Sequence, residues 1–138
     1  MREAWHRREV LVTEYGFPGA EVRDLLDTSR CLEYIVRANP DFVFIQVGGN
    51  DIVSEDRIRL REQVMGIVRD LKELLQFFKD RNCTVLLGEV FHCPRPRGVS
   101  FEFYSKVRNR VNRDVAQFFR RNFPYRGFIH FQGSTDRR

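Results

Sequence analysis

Four short stretches of this 138-residue chain are dominated by apolar residues: Glu9–Tyr15 (EVLVTEY), Asp41–Val47 (DFVFIQV), Thr84–Val90 (TVLLGEV) and Gly127–Phe131 (GFIHF). Runs of this length, rich in Val, Ile and Phe, predict β-strands. In the middle two the apolar residues are nearly continuous rather than alternating. That is the habit of strands buried on both faces, as in parallel sheets.

Between these runs, apolar residues recur every three or four positions. Ala20–Arg37 places Leu25, Leu26, Leu32, Ile35 and Val36 at helical spacing. A break is expected near Thr28–Ser29. A stop is expected at Asn39-Pro40, because the residue before proline avoids the α region. The clearest helix carries Leu60, Val64, Ile67, Leu71, Leu74 and Phe78. Ser54 reads as its N-cap, with Glu55 and Asp56 at the positive end of the dipole. Lys79 and Arg81 suit the negative end, and Asn82 suits a left-handed stop. A last helix runs from about Phe103 to Phe119 with Val107, Val111, Val115 and Phe118 as its apolar stripe. At 100° per residue, Lys106, Arg110, Arg113, Arg120 and Arg121 share the opposite face. Strand and helix alternate throughout. This predicts an α/β fold, a flavodoxin-like three-layer α/β/α arrangement around a parallel sheet. No repeat or linker divides the chain, so it reads as one domain.

Composition narrows the class. Hydrophobic residues make up 42% of the chain and 13 residues are Phe, which excludes an intrinsically disordered tail. No apolar run reaches the ~18–20 residues of a membrane helix. The stretch Met1–Glu9 is charged rather than an apolar signal core, so an intracellular, non-membrane protein is expected. Cys31, Cys83 and Cys93 form no C-x-x-C pair, which fits a reducing compartment. The three His and three Cys show no metal-ligand spacing, and no cofactor is expected. The net charge of +5 is uneven: Arg95–Arg138 holds 11 basic and 3 acidic residues. The stripe Lys106, Arg110, Arg113, Arg120, Arg121 therefore raises nucleic acid as an alternative partner, without an aromatic platform or a named binding motif to support it.

Ligands of open parallel sheets bind beyond the carboxyl ends of the strands. Two such ends carry distinctive turns, Gly16-Phe17-Pro18-Gly19-Ala20 and Gly48-Gly49-Asn50-Asp51. Glycine permits close approach of the backbone, helix-start amides point outward, and an Asn side chain adds a neutral NH₂ donor. Two such donors facing one crevice can stabilise an oxyanion. Either turn by itself is an ordinary tight turn, since Gly, Pro, Asn and Asp are common turn formers.

Taken together, from about Val10 to Phe131, the two turns resemble the SGNH (GDSL-type) hydrolase family. Gly48-Gly49-Asn50-Asp51 after a buried strand is the specific match, and Gly16-Phe17-Pro18-Gly19 supports it. The approach Asn39–Val47 is also similar. A weaker likeness, through Arg95-Pro96-Arg97, Tyr104 and Val111-Asn112, is to SGNH-like domains associated with animal retroelements. The resemblance implies an ester hydrolase acting on a small ester by serine attack. It assigns the backbone N–H of Gly19 and the side-chain N–H of Asn50 to the oxyanion hole. Gly48, Gly49 and Asp51 would shape the turn.

The family's nucleophile lies in a G-D-S block on its first strand, and its base in a D-x-x-H block after its last strand. Neither motif occurs in these 138 residues. The expectation is thus a single SGNH-like domain over 1–138 that is incomplete. It lacks the nucleophile strand, which would lie between Glu9–Tyr15 and Asp41–Val47, and the Asp-His loop, and it is inactive or nearly so. A non-catalytic binding module is the alternative. Substitutes are few. Ser134 lies in a polar C-terminal loop, His130 in a Phe-rich strand and His6 in a charged stretch. His92 and Cys93 are neighbours on extended chain and do not face each other.

Overall fold

The structure is a computed structural model that describes residues 12–27, 30–125 and 127–129. In chain order it contains α1 (Val22–Asp27), α2 (Cys31–Arg37), β1 (Phe42–Ile45), α3 (Leu60–Asp80), β2 (Thr84–Gly88), α4 (Phe101–Asn122) and β3 (Phe128–Ile129). A one-turn 3-10 helix, Gly49–Asp51, follows β1. The sheet is parallel, in the order β1-β2-β3. Phe42 lies opposite Thr84 and Ile45 opposite Leu87, while Leu87 and Gly88 lie opposite Phe128 and Ile129. This is the expected α/β architecture. Among the described residues no helix is long and apolar enough to cross a membrane.

The core lies between one sheet face, made by Val43, Ile45, Val85 and Leu87, and the inner sides of α3 and α4. Leu74, Leu75 and Phe78 of α3 meet Val107, Val111, Val115 and Phe119 of α4 there, all at most 1% exposed. Arg23 ties α1 to α3. Its guanidinium lies 2.6 Å from Asp70, 2.8 Å from Glu73 and 3.1 Å from Asp27. Those carboxylates, Glu73 first, raise the Arg23 pKa further above its ordinary value.

Several details differ from the sequence expectation, each for a physical reason. Glu9–Tyr15 was expected as a strand, but residues 12–15 are irregular and Val12 is 74% exposed. No described strand lies beside them to take their N–H and C=O groups; residues 9–11 fall outside the described residues. The strand in Asp41–Val47 is not buried on both faces. Phe42 and Phe44 are 63% and 51% exposed, so one side of β1 lies open among the described residues.

Ser54 does not cap α3. Arg59 holds that position without a side-chain bond, and the Ser54 carbonyl instead closes a separate turn by accepting the N–H groups of Arg57 and Ile58. Gln63 enforces this. Its buried amide accepts the Val53 N–H at 3.0 Å and donates to the carbonyls of Val53 at 2.8 Å and Ile58 at 2.7 Å. The loop is thereby folded back onto the first turn of α3. At the other end, Asn82 adopts the expected left-handed conformation, with φ 60°.

Ser100 caps α4, its hydroxyl oxygen accepting the N–H of Phe103. The i+4 line Val107, Val111, Val115 runs on to Phe119, not to Phe118. Phe119 stacks on Phe123 with ring centres 4.3 Å apart, whereas the half-buried Phe118 lies beneath the Lys72 ammonium. Beyond α4, the Tyr125 hydroxyl accepts the Val85 N–H at 2.7 Å and donates to the Val85 carbonyl at 3.0 Å. The expected strand Gly127–Phe131 is seen as Phe128–Ile129; His130 and Phe131 lie outside the described residues.

Candidate functional site

Beyond Ile45 the chain leaves β1 through Gln46-Val47 and turns sharply at Gly48. The turn is dictated by close packing. Gly48 has φ 120°, and a Cβ there would come within 2.9 Å of Val90 Cγ2. A Cβ on Gly49 would come within 3.0 Å of the Tyr104 hydroxyl. The Gly-Gly pair therefore lies directly against the end of β2 and the start of α4. The short helix that follows is closed by the Asp51 N–H to the Gly48 carbonyl and the Ile52 N–H to the Gly49 carbonyl.

The second turn closes by the Ala20 N–H to the Phe17 carbonyl at 3.0 Å, with Gly19 at φ 78°. Two bonds join the turns. Asn50 Nδ2 donates to the Ala20 carbonyl at 3.1 Å, and Asp51 Oδ2 accepts the Val22 N–H at the start of α1 at 3.1 Å. Segments about thirty residues apart in sequence thus meet at the carboxyl end of β1, with Asn50 bonded to the residue that follows Gly19. Asn50 retains a second N–H, and no acceptor among the described residues takes the Gly19 N–H.

Asp51 is partly buried, and burial pushes its pKa up to about 7. The Val22 N–H opposes the shift, while the carboxylates of Glu21, Asp70 and Asp24 add to it. The native state therefore holds a proton that the unfolded chain, at about 3.8, has already released. Stability falls as pH rises from about 4 through 7. Asp51→Asn keeps an acceptor for Val22 without the charge. The variant is expected to match the parent near pH 4 and to exceed it at pH 8 by about 1–2 kcal/mol, allowing for solvent screening. Thermal melts across that range check this, and equal pH slopes in both proteins would contradict it.

The end of β2 is held by α4. The buried Asn112 accepts the Val90 N–H at 2.7 Å and donates to the Val90 carbonyl at 3.2 Å. Arg108 Nε donates to the same carbonyl at 2.8 Å, and its guanidinium lies 3.9 Å from the Glu89 carboxylate. The Tyr104 hydroxyl donates to the Phe91 carbonyl. Burial, with Cys93 adding and Arg108 opposing, raises the Tyr104 pKa. Gln46 Nε2 donates to the Glu89 carbonyl, while its buried Oε1 takes no donor among the described residues. Sequence reasoning did not assign Gln46, Arg108 or Asn112 a place here. Arg108 and Asn112 carried a signal, since both fall within the apolar arc of α4, where a polar group needs a partner.

Lys106, Arg110, Arg113, Arg120 and Arg121 are all exposed along α4, away from these turns. The His92 ring meets Phe101 edge-on, with centres 5.5 Å apart. Ser134, His130 and His6 lie outside the described residues. Among the described residues no three His, Cys, Asp or Glu side chains gather to hold a metal ion. At the carboxyl end of β1 the joined turns leave two neutral N–H groups, one of Gly19 and one of Asn50, without an acceptor among the described residues.

The model of the GDSL-like Lipase/Acylhydrolase family matches residues 2–136. Comparison with curated proteins brings no match, nor does comparison with solved structures.

Proposed function

The chain belongs to the GDSL-like lipase/acylhydrolase family, and on that premise we propose that its two joined turns form the oxyanion-binding half of an ester hydrolase site. The observation that supports this reading is the pair of bonds, Asn50 to Ala20 and Val22 to Asp51, that joins the turn carrying Gly19 to the turn carrying Asn50. When a nucleophile adds to an ester carbonyl, its oxygen becomes an alkoxide. The Gly19 N–H and the second Asn50 N–H would hold that charge. Neutral, preorganised donors of this kind are worth on the order of 10²–10³ each in rate.

The 138 residues contain neither G-D-S nor D-x-x-H. The reading therefore includes low activity: these residues would supply oxyanion donors, while neither motif that carries the family's serine and histidine occurs among them. Donors and binding alone retain roughly 10³–10⁴ over water in serine proteases that have lost their triad, which sets the scale.

The test is hydrolysis of p-nitrophenyl acetate by the purified chain. A slow rate above buffer is expected, reduced to buffer level by Asn50→Ala. A slow rate that Asn50→Ala leaves unchanged would overturn the oxyanion assignment. Turnover at tens per second would overturn the low-activity part.

A further inference from the structure

The outward face of α4 differs from that of α3. On α3 the exposed charges mix in sign: Arg61, Glu62, Arg69, Lys72, Glu73, Lys79 and Asp80. This is the ordinary solvated side of an amphipathic helix, which needs charge but no particular sign. On α4 the exposed stripe is Lys106, Arg110, Arg113, Arg120 and Arg121, all positive. From Lys106 to Arg121 the only acid on the helix is Asp114, on the flank, 3.3 Å from Arg113. Among the described residues no ion pair within 4.0 Å engages the other four cations.

Helix electrostatics explain only part of this. Arg120 and Arg121 occupy the last turn, where cations offset the negative end of the dipole. Lys106, Arg110 and Arg113 lie at least two turns from that end, where the dipole asks for nothing. At 1.5 Å per residue the stripe is about 22 Å long. A stacked nucleic-acid strand rises 3.4 Å per phosphate, so about six phosphates match that length.

We propose that the outer face of α4 is a docking surface for the phosphate backbone of a nucleic acid, separate from the glycine turns. The partner is bound by charge along one strand. The stripe carries no aromatic ring on which a base could stack, so binding is independent of sequence.

The test uses the full chain and fluorescein-labelled 30-nucleotide single strands of mixed sequence, DNA and RNA, followed by anisotropy between 50 and 300 mM salt. Four or five phosphate contacts predict a log–log salt slope of about −3. Replacing Arg110, Arg113 and Arg120 together by Gln should weaken binding at 50 mM salt by roughly 10²–10³-fold and flatten the slope by about 2. A control with Arg57, Arg59 and Arg61 replaced by Gln has the same net charge and also alters only exposed residues. It should stay within about threefold of the parent, since a uniform charge effect would act on both variants alike. Absence of binding at 50 mM salt, or equal weakening in both variants, would overturn the proposal. So would tighter binding to phosphatidylserine vesicles, lost in the α4 variant, which would make the partner a membrane surface. Circular dichroism confirms that each variant is folded. None of these readouts depends on ester hydrolysis.

Discussion

Alanine at Gly48 is expected to destabilise the protein by about 2–5 kcal/mol, because two penalties coincide there. The backbone sits at φ 120°, which a side chain rarely adopts, and the new methyl group would lie 2.9 Å from Val90 Cγ2. Val90 cannot move aside. It is 2% exposed, stiff at its branched Cβ, and its backbone is clamped by Asn112 and Arg108. Gly98→Ala is the matched comparison: φ is 68°, but a Cβ there meets nothing within 4 Å. It should therefore show the backbone penalty alone, about 1 kcal/mol. Urea unfolding of both variants separates the terms. Equal losses would show that contact with Val90 is not what demands glycine.

The second large effect is expected at Phe119. Phe119→Ala should lower stability by about 3–5 kcal/mol, a sizeable share of what a small domain has in total. The ring is 1% exposed, stacks on Phe123 at 4.3 Å and meets Tyr125 edge-on at 5.9 Å. It also closes over Gly127, where a Cβ would come within 2.9 Å of the Phe119 ring. Its neighbour Phe118, half-buried under Lys72, should lose about 1 kcal/mol or less on the same truncation. Melting temperatures of the two variants rank them, and the reverse order would contradict the packing described.

These two phenylalanines also show what a sequence can reveal. The repeat Leu60 to Phe78 marked α3 unambiguously, because six apolar residues at one spacing leave no competing period. At the end of α4, two adjacent Phe fit the pattern about equally well, and only the packed partners Phe123 and Tyr125 decide between them. Ser54 failed as a cap for a related reason. Local preference favoured a helix start there, but Gln63, ten residues further along than Val53, accepts one hydrogen bond from the segment and donates two to it, which hold it as a loop. The glycine turns were legible as turns, since Gly, Asn and Asp have few other uses at a strand's end. That Asn50 reaches Ala20 and Asp51 reaches Val22 was not legible, because nothing local connects them. The exposure of Phe42 and Phe44 was hidden too: a run such as FVFI looks the same whether one or both faces are covered.

Tyr125 has one further consequence. A strand of two residues holds too few bonds to select its own alignment, and sliding by one position would turn Phe128 away from the core. The Tyr125 hydroxyl meets both main-chain groups of Val85, as a neighbouring strand would, only three residues before Phe128. One phenol thus works as the first tooth of a zipper. It indexes β3 against β2, and the two rungs that follow engage in a single frame.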